Sequence, residues 1–256
     1  MTRSLFIIAG AALVLCLACL GGAAALGSRD LARNDWTWVI TDEHAGDGSF
    51  NFRRGKESPT VTRNLAWSGQ SLTIDLPVNV TYVQGDTPGV VVSGPEAAVD
   101  RVKLANGRLS LTGHDDERAY MRFGRNGIHV WSETEVLEIT VTAPDVNSFR
   151  IAGSGDLLLE DYDQPNLGVV IDGSGDVEGT GRTGKLDLRV NGSGDVDLDG
   201  FQITDAVIEI AGSGDVSAGP EGEVRVDLSG SGDMRFTRRP RSLQQEVSGS
   251  GEVSGS

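Results

Sequence analysis

The sequence is poor in cysteine and in positive charge, and each shortage excludes a class of protein. Its two cysteines, Cys16 and Cys19, both lie near the N-terminus, so no disulfide can form within the rest of the chain. Lys and Arg number 22 against 37 Asp and Glu, which gives a formal net charge of -15. This balance argues against nucleic-acid and anionic-membrane partners, because phosphate contacts need clustered cations. Two small basic clusters stand out against it, at residues 53–56 and 238–241.

The first 26 residues predict an export or anchoring segment. Residues 5–26 carry no charged side chain, follow Arg3, and end in small residues. Ala23 and Ala25 meet the small-x-small requirement of signal peptidase, which favours a cleaved signal peptide. The run is also long enough to cross a bilayer as a retained transmembrane anchor, and Cys19 leaves a lipoprotein open. We therefore expect export to the bacterial cell envelope: the periplasm, the outer surface or a membrane-anchored form.

Glycine, with 35 residues, is abundant, and much of it belongs to a repeat. The tetrapeptide Gly-Ser-Gly-Asp occurs at residues 153–156, 173–176, 192–195, 212–215 and 230–233, and Gly-Ser-Gly-Glu follows at 249–252. Successive copies begin 18 to 20 residues apart. A repeat of this period is typical of a solenoid, in which each turn buries its apolar face only against its neighbours.

Apolar and polar residues alternate around each motif, which predicts β-strands rather than helices. The motif glycines fall on the apolar, inward phase, where they either let the coil bend or let opposite walls approach closely. These glycines, expected to serve turns or packing, are Gly153, Gly155, Gly173, Gly175, Gly192, Gly194, Gly212, Gly214, Gly230 and Gly232. The outward residues, expected to form a surface ladder, are Ser154, Asp156, Ser174, Asp176, Ser193, Asp195, Ser213, Asp215, Ser231 and Asp233.

These patterns predict an all-β fold, a parallel and right-handed β-helix with rungs of 18 to 20 residues, preceded by an apolar N-terminal helix. The β-helix is expected over residues 70–237, with irregular early rungs at 70–145 and the motif rungs at 146–237. Residues 27–69 predict a tether, and residues 238–256 a C-terminal tail or cap.

Smaller features add to this division of the chain. Asn106 and Gly107 separate two alternating segments and predict a tight turn. Residues 114–134 predict a long polar loop. Within the tether, Trp36, Trp38 and Val39 have the apolar character needed to dock on the fold.

Several segments together resemble one known family. They are Val-Thr-Tyr-Val-Gln-Gly-Asp-Thr-Pro-Gly-Val-Val-Val at 80–92, Val-Lys-Leu-Ala-Asn-Gly-Arg-Leu-Ser-Leu at 102–111, Thr-Ala-Pro-Asp-Val at 142–146, and the motif series. In combination they are similar to the head-GIN-domain family, described as auto-transporter adhesins of bacterial envelopes. The likeness covers residues 64–236. It implies a β-helical fold and an adhesin-type role, and it offers no catalytic residues to carry over.

The aspartates of the motifs allow two kinds of chemistry. Stacked rungs would bring them about 4.8 Å apart, where neighbouring carboxylates repel one another. Each carboxylate could accept backbone N–H groups within its own turn, as in an Asx turn, and we favour this interpretation. Alternatively, the column could bind Ca²⁺ weakly. The three histidines lie in polar segments and predict no metal site.

We therefore expect a non-enzymatic envelope protein, an adhesin or structural module that presents a repetitive Ser/Asp surface. Its expected partners are envelope or surface glycans or proteins, including further copies of the chain, and the membrane through the N-terminal segment only. The alternatives are a polysaccharide-active β-helix enzyme and a weakly Ca²⁺-binding envelope protein; no other cofactor is expected. Arg150 and Arg189 share an outward column, but six residues separate it from the aspartates, which disfavours a shared catalytic site.

Overall fold

The structure is a computed structural model that describes residues 36–42, 50–54, 57–113, 118–124 and 127–255. Within these ranges the chain forms twenty strands, β1–β20, and one short helix, α1. The predicted export helix at residues 1–26 lies outside the described residues, as do His44 and His114. No helix within the described ranges has the length and apolar character needed to cross a membrane.

In chain order the elements are β1 (Trp36–Asp42), β2 (Phe50–Arg54), β3 (Thr60–Leu65), β4 (Ser71–Asp75), β5 (Val80–Gln84), β6 (Gly89–Pro95), α1 (Glu96–Arg101), β7 (Val102–Ala105), β8 (Arg108–Leu111), β9 (Arg118–Gly124), β10 (Gly127–Ser132), β11 (Glu138–Ala143), β12 (Ser148–Ile151), β13 (Leu157–Ile171), β14 (Val177–Gly192), β15 (Val196–Gly212), β16 (Val216–Pro220), β17 (Glu223–Gly230), β18 (Met234–Phe236), β19 (Ser242–Gly249) and β20 (Val253–Gly255).

The second half of the chain winds into a stack of parallel rungs. Strands β13, β14 and β15 each run through most of a rung, and each pairs in parallel with the next. Equivalent repeat positions face one another, so that Leu157 pairs with Val177 and Val177 with Val196. In later rungs two shorter strands replace the long one, first β16 with β17 and then β18 with β19. The predicted all-β solenoid is confirmed, with about five turns.

Alternate residues of each strand fill the interior of the stack, because alternate side chains point to the same face of a strand. Leu188, Ile208 and Val226 are aligned in register on three successive rungs, and each is at most 1% exposed. Burial of each such side chain stabilises the fold by about 1.5–3 kcal/mol relative to its exposure. The stack therefore depends on neighbouring rungs for its core.

Four aromatic rings form a second column inside the stack, in the order Tyr82, Phe149, Tyr162 and Phe201. Neighbouring ring centroids lie 5.1 to 6.2 Å apart, at tilted or edge-on angles. The buried tyrosine hydroxyls donate to backbone carbonyls, Tyr82 to Ala143 over 2.8 Å and Tyr162 to that of residue 166 over 2.9 Å. Burial raises the pKa of Tyr82 to about 12 and raises the pKa of Tyr162 as well.

The first rung is made by β4 and β5. These strands come far earlier in the chain than β12 and β13, which form the next rung. Strand β4 pairs in parallel with β12, and β5 pairs in parallel with the start of β13. The connection between them has the same length as a motif connection but places Leu76 and Val78 where the first two glycines later stand. Both side chains are 4% exposed. Strands β4 and β5 thus form one rung of the stack.

The rest of the early region departs from the predicted rungs. After β5 the chain turns into β6, which runs antiparallel to both β3 and β11, and then into α1 and the β7–β8 hairpin. The predicted tight turn is confirmed at the tip of this hairpin, where Asn106 and Gly107 have φ values of 51° and 74°. Such a pair of positive φ values matches the right-handed twist of hairpin strands. The chain rejoins the stack at β11.

The predicted tether and polar loop were wrong where the structure describes them. Strands β1 and β2, from the supposed tether, pair with each other, and β1 also pairs with β9 from the supposed loop. With β10 they form a four-stranded antiparallel sheet, whose apolar side buries Ile40 and Met121 and receives Trp38. Strand β3, also in the supposed tether, belongs to the main sheet of sixteen strands.

The C-terminal segment, predicted as a tail or cap, adds further strands to the stack. Strand β19 pairs in parallel with β17 over Glu223–Gly230, and β20 pairs in parallel with β18. Every residue of β19 is exposed, because in the described chain it pairs on one side only.

Candidate functional site

The Gly-Ser-Gly-Asp motifs stack into one corner of the solenoid, which we call the motif corner (residues 152–156 and their equivalents in later rungs). Backbone hydrogen bonds join each motif to the next: the Ser174 N–H donates to the Gly153 carbonyl over 2.9 Å, and the Ser193 N–H donates to the Gly173 carbonyl over 2.9 Å. This regular bonding holds equivalent residues one rung apart, about 4.8 Å.

The motif glycines are required by the closeness of the neighbouring rung. A Cβ at Gly173 would lie 2.1 Å from the carbonyl oxygen of Gly153, far inside van der Waals contact. A comparable clash with a carbonyl oxygen, at 1.9 to 2.2 Å, would occur at Gly155, Gly175, Gly192, Gly194, Gly212, Gly214, Gly230 and Gly232. Two roles were expected of these glycines, a bend of the coil or a close approach of opposite walls. The second does not describe the close contact, which is made with the preceding rung. Gly153 differs, since nothing lies within 4 Å of its Cβ position.

The motif aspartates form a ladder of hydrogen bonds between rungs. The Asp195 N–H donates to Oδ1 of Asp176 over 2.8 Å, and the Asp215 N–H donates to Oδ1 of Asp195 over 2.8 Å. The same bond recurs at every step from Asp156 to Glu252, at 2.8 to 2.9 Å. We expected each carboxylate to accept from its own turn. The structure corrects this, because the donor is the backbone of the following rung.

The backbone of the same residues completes the connection in the opposite direction. The carbonyl of Asp176 accepts the N–H of Leu157 over 2.8 Å, and the carbonyl of Asp195 accepts the N–H of Val177 over 2.9 Å. Each aspartate therefore ties its rung to the preceding one through its backbone and to the following one through its side chain. A charge-assisted bond to a backbone N–H is roughly twice as strong as a neutral one, which offsets the repulsion between stacked carboxylates.

The motif serines lie beside this ladder with their side chains in solvent. All five are exposed: Ser154, Ser174, Ser193, Ser213 and Ser231. Their backbone groups join the rungs, but within the described residues no hydrogen bond is made by any of their hydroxyls. The motif corner thus presents a row of unengaged hydroxyls at the spacing of the rungs. Among the described residues, no group of three or more His, Cys, Asp or Glu side chains is placed to hold a metal ion.

The outward column of Arg150 and Arg189 is engaged in ion pairs. Arg150 pairs with Asp172, and Arg189 pairs with Asp187 at 3.1 Å and with Glu209 at 3.0 Å. These pairs are exposed, and each contributes about 0–1 kcal/mol to stability. His129, the one histidine that the structure describes, is exposed on β10.

A second site lies midway between successive motifs, where sequence reasoning placed none. We call it the corner groove; it has a volume of about 570 Å³ and is lined by residues that include Gln164, Arg182, Gln202, Thr204, Arg238 and Arg241. The parallel register sets Arg182 beside Gln202 on the next rung. The only sequence signal for this groove is the basic cluster at residues 238–241, whose position in space the sequence alone did not reveal.

Two of the groove arginines are held in place by the protein. Arg182 donates from Nε to Oδ1 of Asp163 over 2.7 Å and from Nη2 to Oδ2 of the same carboxylate. These two hydrogen bonds lower the pKa of the Asp163 carboxyl and raise the pKa of Arg182. Arg238 donates from Nη1 to the carbonyl of Phe201 over 2.7 Å and lies 3.7 Å from a carboxylate oxygen of Glu221.

The remaining polar groups of the groove are unengaged. Within the described residues, the side chains of Gln202, Thr204 and Arg241 make no hydrogen bond or ion pair, and all three are exposed. The groove therefore offers a free guanidinium, an amide and a hydroxyl in one concave surface.

Comparison with known proteins identifies relatives of most of the stack. A family model described as "Putative auto-transporter adhesin, head GIN domain" matches residues 70–240. No curated protein matches the chain. The solved structure of a putative adhesin from Bacteroides fragilis is 17% identical, with a TM-score of 0.61 over 77% of this chain and 97% of that one. This likeness supports the fold.

Two further solved structures come from Parabacteroides distasonis. One, described as a putative adhesin, is 14% identical with a TM-score of 0.49 over 78% of this chain and 98% of that one. The other, described as a putative lipid binding protein, is 18% identical with a TM-score of 0.47 over 77% of this chain and 96% of that one.

Proposed function

The chain belongs to the head GIN domain family, and on that premise we propose that it is a non-enzymatic adhesin-type module of the bacterial cell envelope. Its role is to bind surface molecules, with glycans as the favoured class, through polar groups repeated along the stack. The export segment predicted at residues 1–26 is consistent with this location.

The observation that carries this proposal is the row of serine hydroxyls at the motif corner. The hydroxyls are exposed and unengaged, while the glycines and aspartates beside them fix the backbone from rung to rung. The row is thus rigid before any ligand binds, which lowers the entropy that binding must offset. Hydroxyls donate and accept hydrogen bonds, as the hydroxyls of sugars do.

Several serine hydroxyls together can provide the binding affinity that a single hydroxyl cannot. One exposed hydrogen bond contributes about 0.5–1.5 kcal/mol at most, since water competes for both partners. When several equivalent contacts form to one repetitive ligand, each later contact forms at a high effective concentration, and the affinity rises without new chemistry. The five rungs of the motif corner suit such a ligand.

The engagement of the charged side chains supports a binding role over catalysis. Glycosidases need two carboxylates that face a substrate. Here the motif aspartates accept backbone N–H groups, and Arg150 and Arg189 are paired with acids on their own surface. A screen of the purified chain against acidic and neutral polysaccharides tests this part, and turnover of any of them would contradict it.

The main test compares cell adhesion in strains that carry different versions of the full chain. Deletion of the gene is expected to reduce adhesion and biofilm formation, and the wild-type chain is expected to restore both. A variant with Ser174→Ala, Ser193→Ala and Ser213→Ala is expected to restore less, although it folds.

The matched control replaces three exposed serines outside the motif corner, as Ser68→Ala, Ser71→Ala and Ser254→Ala. It is expected to restore adhesion fully. Normal adhesion after deletion, with an intact envelope, would overturn the proposed function. Equal behaviour of the two triple variants would remove the motif corner from it.

A further inference from the structure

We infer that the corner groove is a binding site for an acidic polysaccharide, whose carboxylates pair with the arginines and whose hydroxyls meet Gln202 and Thr204. This inference deepens the proposed function, on which it rests, by naming a ligand class and a site that the motif repeat does not include.

The charge of the groove runs against the charge of the protein. The chain has a net charge of -15, yet the groove is lined by Arg182, Arg238 and Arg241 against two acids, Asp163 and Glu221. An anionic chain is repelled by the acidic surface elsewhere and attracted here, which favours this position and orientation.

The arginines divide into fixed and free groups. Asp163 neutralises Arg182, and Arg238 is fixed by the carbonyls of Phe201 and Gly219 at 2.7 and 3.4 Å. The Arg241 side chain makes no hydrogen bond or ion pair with the described residues, so its guanidinium fork is available to a ligand. A guanidinium binds a carboxylate through two parallel hydrogen bonds, and this match favours Arg241 as the main anchor for a uronate.

The neutral groups of the groove suit the rest of a sugar. Gln202 offers an amide that both donates and accepts, and Thr204 offers a hydroxyl, two residues further along the same rung. Arg182 lies beside Gln202 on the preceding rung, so the polar groups extend along the stack as well as across it. A chain of sugar units lying along the stack would contact them in turn.

A nucleic acid fits these observations less well. It carries a phosphate at every nucleotide and needs many cations in a row, whereas the groove has a surplus of one positive charge in an acidic protein. A polysaccharide that carries isolated carboxylates among many hydroxyls matches one free guanidinium beside an amide and a hydroxyl.

The test measures binding of a short oligogalacturonate to the full chain by isothermal titration calorimetry. The affinity is expected to fall with added salt and to fall at least about tenfold in Arg241→Gln, since a charge-assisted hydrogen bond is lost. Gln202→Ala is expected to weaken binding less. Arg225→Gln removes an exposed arginine outside the groove and matches the charge change; it is expected to bind as the wild type does.

Three outcomes would overturn the inference. They are equal weakening by Arg241→Gln and Arg225→Gln, binding of neutral dextran as strong as that of oligogalacturonate, and binding of a single-stranded oligonucleotide in place of the glycan. Adhesion that depends on the chain but not on Arg241 would leave the proposed function standing and remove the groove from it. If adhesion does not depend on the chain and oligogalacturonate does not bind to it, the proposed function and the groove inference are both rejected.

Discussion

The substitution Gly173→Ala tests whether the rungs are stacked as closely as the structure shows. The new Cβ would lie 2.1 Å from the Gly153 carbonyl oxygen, where ordinary contacts begin near 3.4 Å. Relief requires a shift of about 1 Å between two rungs, because the obstacle is backbone and not a flexible side chain. That shift lengthens the bond from the Ser174 N–H to the same carbonyl, now 2.9 Å.

The expected cost follows from these two effects. Overpacking costs about 1–3 kcal/mol, and weakening of the backbone hydrogen bond adds about 1 kcal/mol. We therefore expect Gly173→Ala to lower the free energy of unfolding by about 2–4 kcal/mol. Gly153→Ala is the matched control, since it makes the same change at the equivalent position of the preceding motif, with nothing within 4 Å of the new Cβ. It is expected to change stability by at most about 0.5 kcal/mol.

The assay is urea unfolding followed by far-ultraviolet circular dichroism, with the slope of the transition compared among the variants. Failure of Gly173→Ala to fold, beside a stable Gly153→Ala, agrees with the reasoning. Equal loss in both variants, or no loss in Gly173→Ala, would refute it, because the two positions would then have equivalent surroundings.

Three further predictions concern the ladder, the core and the tyrosines. Asp195→Ala removes the acceptor of the Asp215 N–H and is expected to cost about 1–3 kcal/mol in urea unfolding. Gly179→Ala would place a Cβ 2.9 Å from the ring of Phe201 and 2.7 Å from the preceding rung, and should lower the melting temperature. Because the pKa of Tyr82 is about 12 in the folded protein, against 10.0 for an exposed tyrosine, the unfolded chain loses its proton first. The contribution of Tyr82 to the free energy of unfolding is then complete below pH 10 and is lost between pH 10 and 12. Unfolding measured at each pH, together with the absorbance of the phenolate, checks this.

Each of these predictions has its own control or contrary result. Asp195→Asn keeps an oxygen acceptor and should cost less than the alanine variant; equal costs would argue against the ladder bond. Gly168→Ala places its Cβ in ordinary contact, 3.5 Å from the Asn147 carbonyl oxygen, and should leave the melting temperature nearly unchanged. Phenolate absorbance that rises at pH 10 in the folded protein would contradict burial of the tyrosines.

The repeat rungs could be predicted because their information is local and recurs. The alternation of Leu186, Leu188 and Val190, followed by the motif, defines strand, corner and inward face in a single stretch of chain. The period then states which residues are stacked. The same logic extends back to β4 and β5, where Leu76 and Val78 continue the inward phase without the glycines.

The small antiparallel sheet could not be predicted in the same way. Strand β1 pairs with β9, so that Trp38 faces Met121 across more than eighty residues of chain. Nothing in either segment specifies that partner, and the weak alternation of each one alone resembles that of a loop. Pairing between distant, non-repeated segments is decided by tertiary packing, which overrides local pattern.

The site was predicted in composition but not in detail. The aspartate column follows from the period. A carboxylate that accepts a backbone N–H of its own turn and one that accepts a backbone N–H of the next rung have the same residue type and spacing in the sequence. Only the close stacking of the rungs favours the bond to the next rung. The corner groove depends on Arg238 and Arg241, which belong to no repeat, and on a bend that brings them beside Gln202.

The central claim, that equivalent motif residues lie one rung apart in a straight stack, is tested most directly by a distance between spin labels. In a chain with Cys16 and Cys19 replaced by serine, Ser154→Cys and Ser231→Cys place exposed labels four rungs apart. The account predicts a narrow distribution whose backbone separation is about 19 Å, four times the strand spacing. A broad distribution, or a separation far beyond this value, would contradict it.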